Sequence, residues 1–487
     1  MSEKNNISKN DTSGKLGVLG LAAIVVSSMI GGGIFSLPQN MASDASVGAV
    51  LIAWLITGFG MFFIANTFRI LANAKPDLTS GIYLYAKEGF GDYVGFSIGW
   101  GYWLCQIFGN VGYAIITMDA LNYFFPGVFT GGNNLASIIG GSLLIWCFYF
   151  IVLKGTKQAA FINVIGTIGK LVSLAIFILI MIFVFHLDRF EFDFWGDKII
   201  DGKTLGSFGS QLKSTMLITL WAFIGIEGAV VLSGKAKSQE IVGRATFLGF
   251  IGCLIIYILL SIIPYGFLSQ AELAEIANPS TAGVLEKVIG KSGAWIMNVG
   301  LLIAVLSSWL SWTLIVAEIP LAMSQNQNFP KVFQKENQAG SPSVSLLITS
   351  ILMQLAMIFV YFSTNAWNTM LSITGVMVLP AYFASSAYLW KICEDDEYPK
   401  TMLIKKSSAL ITGILGCVYG IWLIYAAGLQ YLLMAIVFFT LGIPVFCWSR
   451  KEFNIGQLKQ YEKIIMIIMV LVSIFAIYAF ARGIIKL

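Results

Sequence analysis

The sequence predicts an all-α polytopic membrane protein in which two spanning helices are discontinuous, and three observations lead there. Of 487 residues, 57% are hydrophobic and only 11% are charged, whereas a soluble domain carries roughly 25% charge. Apolar windows of roughly 20 residues, the length that crosses a hydrocarbon core, recur along almost the whole chain. Two of those windows are interrupted by glycine, at Ser27-Ser28-Met29-Ile30-Gly31-Gly32-Gly33 and at Trp221-Ala222-Phe223-Ile224-Gly225-Ile226-Glu227-Gly228.

Thirteen windows read as spans: 18–42, 48–74, 94–124, 136–154, 160–186, 213–234, 244–268, 294–323, 344–362, 367–390, 405–427, 429–449 and 463–481. The first should be one helix, but glycine loses the most backbone entropy in a helix, and in lipid every freed N–H and C=O needs a partner. Unwound backbone at membrane depth therefore survives only where it lines a protein cavity. The sixth window repeats the interruption, as expected if two inverted halves each contribute one broken helix. Either break alone is equally well read as close helix packing through small residues. The matched pair, with Glu227 at membrane depth, favours a binding site and points to a secondary transporter. The last window also fits a helix lying on the membrane surface.

Charge tests the count independently. With the N-terminus inside, 21 of the 30 Lys and Arg residues fall on the inner side and eight on the outer side, among them Arg189, Lys198, Lys203 and Lys213. That bias obeys the positive-inside rule and predicts a multi-pass protein of the cytoplasmic membrane with a cytoplasmic N-terminus. The basic residues sit in short loops between spans, so the formal charge of +5 does not imply nucleic acid. Residues 1–15 read as a cytoplasmic tail, 16–186 as a first repeat, 187–212 as an external connector, 213–390 as a second repeat, and 391–487 as peripheral spans. The six cysteines are scattered singly and His186 is the only histidine, so no metal site or cofactor is expected. An enzyme lacks a paired acid and base, an ATP-driven pump lacks a phosphate-binding loop, and a channel would show rings of charge or carbonyls. An amino-acid receptor on a transporter scaffold is the remaining alternative from another class.

Val26 to Pro38, Ala86 to Tyr93, Gly109-Asn110-Val111-Gly112-Tyr113 and Leu220 to Gly228 resemble the amino acid–polyamine–organocation superfamily. Within it they are most similar to the basic amino acid/polyamine antiporters, in particular arginine/ornithine antiporters. The resemblance implies a five-plus-five inverted-repeat transporter fold of 12–13 spans with helices 1 and 6 discontinuous. It also implies alternating-access exchange of external arginine for internal ornithine, with histidine for histamine or lysine for cadaverine as alternatives on the same scaffold. Relatives are often dimers, but no dimer motif is legible here.

A free amino acid presents a carboxylate, which suits exposed N–H groups at a half-helix, and an ammonium, which suits unwound carbonyls. Ser27, Ser28, Ile30, Gly31, Gly32 and Gly33 would serve the first, and Ile224 and Gly225 the second. By resemblance, Trp221 and Trp312 gate and stack on the substrate, where a guanidinium over an indole gains about 0.5–2 kcal/mol. Tyr102, Asn110 and Tyr113 match substrate-facing positions, and Gln106 between them would tune side-chain choice. Glu227 is expected to gate, sense protons or balance charge, or to cap orphan N–H groups of its half-helix. Lys170, in mid-span, either stands where sodium-coupled relatives bind an ion or snorkels to the inner face.

Overall fold

The computed structural model describes residues 17–78, 81–198, 204–231, 237–363 and 366–485. The tail 1–15, part of the connector, and Lys203, Lys235 and Lys486 lie outside the described residues. Among the described residues all regular structure is helical, and eleven helices are long and apolar enough to cross a membrane. A twelfth span is the pair Leu21–Met29 and Gly32–Ala42, bent by 45° at the first glycine break. The remaining window, 213–234, holds two helices too short to cross, because the second break divides it.

Nine helices position the site: α1 (Val18–Met29), α2 (Leu37–Ala42), α3 (Val47–Ala74), α4 (Asp92–Phe124), α5 (Thr156–Phe183), α6 (Phe208–Ala222), α7 (Gly228–Val231), α8 (Lys291–Gln325) and α9 (Ala366–Glu394). After α1, Ile30 (φ −80°, ψ 80°) and Gly31 (φ −97°, ψ −158°) leave helical geometry. A 3₁₀ turn over Gly32–Ser36 then feeds α2, whose first turn contains Pro38, where a missing N–H costs nothing. After α6 the chain turns through Phe223 to Glu227 before α7 begins. Gly225 sits there at φ +110°, a conformation that side chains disfavour.

The sixth helix starts at Phe208, ahead of the 213 boundary read from hydropathy. Buried Gln211 explains the difference: its Oε1 accepts from the N–H and hydroxyl of Ser46 at 3.0 and 2.9 Å, and its Nε2 donates to the Trp195 carbonyl at 3.2 Å. Polar residues thus extend this helix because they tie the connector to the start of α3.

Because lipid tails are as apolar as leucine, helix association in a membrane relies on close packing. Glycines supply it between α5 and α8. A Cβ on Gly166 would lie 2.0 Å from Ser307 Cβ, one on Gly169 2.7 Å from Ile303 Cγ2, and one on Gly300 2.3 Å from Ser173 Cβ. That approach places Lys170 of α5 against Ser308 of α8.

Candidate functional site

The two breaks meet. Ser28 Oγ is a bifurcated donor, 2.8 Å from the Gly225 carbonyl and 2.9 Å from that of Val25. A Cβ on Gly225 would stand 2.7 Å from the Ser28 carbonyl carbon and 3.0 Å from Met29 N. The seam therefore needs glycine for its dihedral angle and for the approach of the other chain segment.

Lys170 fastens the first break from one side. Its ammonium donates to the Ser27 carbonyl and Oγ, both at 3.0 Å, to the Ile30 carbonyl at 2.9 Å and to Ser308 Oγ at 2.8 Å. The Ser27 and Ile30 carbonyls are ones that the helix break releases. Lys170 is 0% exposed, so the snorkelling alternative is wrong: the close α5–α8 seam holds the side chain inside.

Glu227 fastens the second break. Its Oε2 accepts from Gly225 N at 3.1 Å and the Tyr382 hydroxyl at 2.8 Å, and its Oε1 accepts from the Tyr102 hydroxyl at 2.6 Å. One carboxyl group thus caps an orphan backbone donor, as one sequence reading allowed, and also joins α4 and α9 to the break.

Between these fastenings lies a cavity of about 20 Å³ lined by Ser28, Met29, Gln106, Gly109, Tyr113, Trp221, Ile224, Trp312 and Thr374. That is room for about one water molecule. Two aromatic rings account for its small size. A Cβ on Gly33 would fall 1.8 Å from the Trp221 ring, and one on Gly31 would fall 2.4 Å from the Tyr113 hydroxyl, so each ring lies flush on backbone that glycine leaves bare. Trp221 is itself backed by Trp367, edge to face at 5.6 Å. Trp312 donates its indole N–H to the Ser28 carbonyl at 3.2 Å.

Around this cavity polar atoms lack partners. Thr374 Oγ1, on the cavity wall, is unpaired, and so are both side-chain atoms of Asn110, which is 1% exposed and follows the lining residue Gly109 without lining the cavity itself. Asn110 follows Gln106 by four residues and precedes Tyr113 by three, which places all three on one face of α4. Buried polar groups are nearly always bonded, so these atoms are available to polar groups of a substrate.

Of the residues singled out from sequence, Ser28, Gln106, Tyr113, Trp221, Ile224 and Trp312 line the cavity. Gly31 and Gly33 lie under the Tyr113 and Trp221 rings, and Asn110 adjoins the lining residue Gly109; the rest have different neighbours. Ser27 and Ile30 serve Lys170, and Tyr102 serves Glu227. Gly32 packs toward Val305 and Ile116 instead of the cavity, and the Gly225 carbonyl is held by Ser28. Sequence reasoning missed Ser308, Tyr382, Thr374 and Trp367. Ser308 was findable: it stands four residues before Trp312, on the same face of an apolar helix. Tyr382 follows Pro380, which lies inside α9, but nothing local ties it to Glu227 across 155 positions.

Comparison with known proteins decides the family. The amino acid permease profile matches residues 16–474. This chain belongs to the amino acid permease family. The permease is 66% identical over 448 residues to a Chlamydia abortus protein named arginine/agmatine antiporter, covering 92% of each chain. It is 61% identical over 483 residues to the Chlamydia pneumoniae protein of that name, covering 99% of this chain and 100% of the relative. The Chlamydia trachomatis serovar L2 counterpart is 57% identical over 479 residues, covering 98% and 99%. The permease is a multi-pass membrane transporter and not an enzyme.

Proposed function

We propose that the permease is an antiporter that takes up arginine and returns agmatine by alternating access, with its substrate at the seam of the two helix breaks. The observation that carries the site is the collapsed cavity: two glycine-rich breaks, two aromatic covers over bare backbone, and buried polar atoms of Asn110 and Thr374 without partners. The arginine carboxylate would take the amides around Gly31–Gly33 once Tyr113 and Trp221 swing away. The guanidinium would then lie among Trp221, Trp312 and the Asn110 side chain, where indole faces favour a cation.

The relatives' names favour agmatine as the exchanged product, in place of the ornithine expected from the sequence. Chemistry separates the two. Arginine and ornithine are both monocations, so their exchange is electroneutral. Agmatine lacks the carboxylate and carries two positive charges, so each cycle would export one net charge.

In this reading the 21-to-8 bias of Lys and Arg puts the N-terminus in the cytoplasm of a cell-membrane protein. Glu227 would serve as the link through which Tyr102 of α4 and Tyr382 of α9 follow the movement of the second break.

The test is uptake of radiolabelled arginine into proteoliposomes preloaded with agmatine, ornithine or buffer. The expected result is uptake with agmatine inside, slowed by an inside-negative potential that opposes charge export. Uptake only with ornithine, insensitive to potential, would restore the ornithine reading. Binding without uptake under every preload would contradict transport and favour a receptor.

A further inference from the structure

A second cavity of about 520 Å³ lies next to the seam, on the face that the charge bias assigns to the exterior. Five of its lining residues, Ser210, Lys213, Ser214, Leu217 and Ile218, recur along one face of α6. Trp221 continues that face one turn further. Lys213 therefore stands about 12 Å above Trp221, two helical turns at 1.5 Å per residue. Asp44, just beyond α2, contributes to the same wall, and among the described residues Lys213 and Asp44 are the only charged ones lining the cavity. The Lys213 ammonium rests 4.9 Å from the ring centroid of Tyr425, which holds it at the rim.

A lysine at this place presents a puzzle, because it repels any substrate that is only a cation. An amino acid with a cationic side chain is different: its carboxylate matches Lys213 while its distal cation matches Asp44. We infer that this vestibule is an outer docking subsite for the amino acid, in which Lys213 receives the α-carboxylate and Asp44 the side-chain cation before the substrate passes Trp221.

The inference rests on the proposed arginine-for-agmatine exchange and deepens it. Agmatine keeps the two cations and has no carboxylate, so the same subsite attracts arginine and disfavours recapture of exported product. Charges in an open vestibule act mainly by steering and raise the association rate more than the bound-state affinity.

The test is arginine homo-exchange in proteoliposomes, with agmatine as external competitor, for wild type, Lys213→Gln, Lys213→Arg and Asp44→Asn. Lys213→Gln is expected to lower kcat/KM for arginine about three- to fivefold, the size of a partly solvated ion pair, while inhibition by agmatine holds or strengthens. Lys213→Arg should restore arginine uptake, and Asp44→Asn should weaken agmatine at least as much as arginine. Equal loss for both ligands in Lys213→Gln, or no loss for arginine, overturns the subsite. Should Lys213→Gln fail to fold, Asp44→Asn decides: no effect on either ligand overturns it. Wild-type arginine exchange without competition by agmatine defeats the product assignment and leaves the arginine half of the test intact. Absence of any arginine exchange defeats both.

Discussion

Lys170→Met is expected to give a folded protein that no longer exchanges arginine, with uptake at least about tenfold below wild type. Two large terms oppose each other. Removing a buried ammonium relieves a desolvation cost of several kcal/mol. It also removes hydrogen bonds from a charged donor, worth about 1.5–3 kcal/mol each, to the Ser27 and Ile30 carbonyls and to the hydroxyls of Ser27 and Ser308. With three protons to donate, the lost bonds amount to about 4.5–9 kcal/mol, so they offset or exceed the relieved desolvation and stability is expected to fall by at most a few kcal/mol. What disappears is the force that selects the unwound path of residues 27–30 over other ways of satisfying their carbonyls. Thermal unfolding of the purified variant, read beside its uptake, separates the two effects. Wild-type uptake by Lys170→Met would show that the ammonium does not hold the break.

Gly225→Ala should have the other large effect. The methyl group would be forced to φ +110° and to 2.7 Å from the Ser28 carbonyl carbon. The neighbour is backbone and cannot rotate away, so the two breaks must part. Backbone strain of this kind costs about 1–3 kcal/mol and overpacking a similar amount, giving a combined loss of about 2–6 kcal/mol and abolished exchange. Gly252→Ala is the matched control, since a Cβ there meets nothing within 4 Å and alanine favours a helix. Unfolding midpoints and uptake for the pair check this. A Gly225→Ala variant as stable and active as Gly252→Ala would contradict the seam.

Much of this was legible in the sequence because a bilayer punishes irregular backbone. Apolar windows located the spans, and the glycine runs at 31–33 and at 225 and 228 located both breaks. The aromatics Trp221, Trp312 and Tyr113 at the cavity were reached through family resemblance, since 13 tryptophans offer no local reason to prefer two. Periodicity could not say which atoms each polar residue meets. Ser27 and Ser28 are adjacent, yet one turns to Lys170 and the other to Gly225. Tyr102 lies one turn from Gln106 on α4, yet its hydroxyl reaches Glu227 while Gln106 lines the cavity. Partners more than 100 positions apart are set by packing, and hydropathy carries no record of it. The start of α6 was misplaced for the same reason, because Gln211 looks like loop until Ser46 is set beside it.

Arginine is proposed to bind at the seam between the breaks, where the cavity of about 20 Å³ has room for about one water molecule. The most direct measurement is the structure of the purified protein with arginine bound. The predicted result shows Trp221 lifted from Gly33, Tyr113 displaced from Gly31, the ligand carboxylate on the amides between them, and Asn110 bonded. Arginine bound elsewhere, with Trp221 still flush on Gly33, would contradict it.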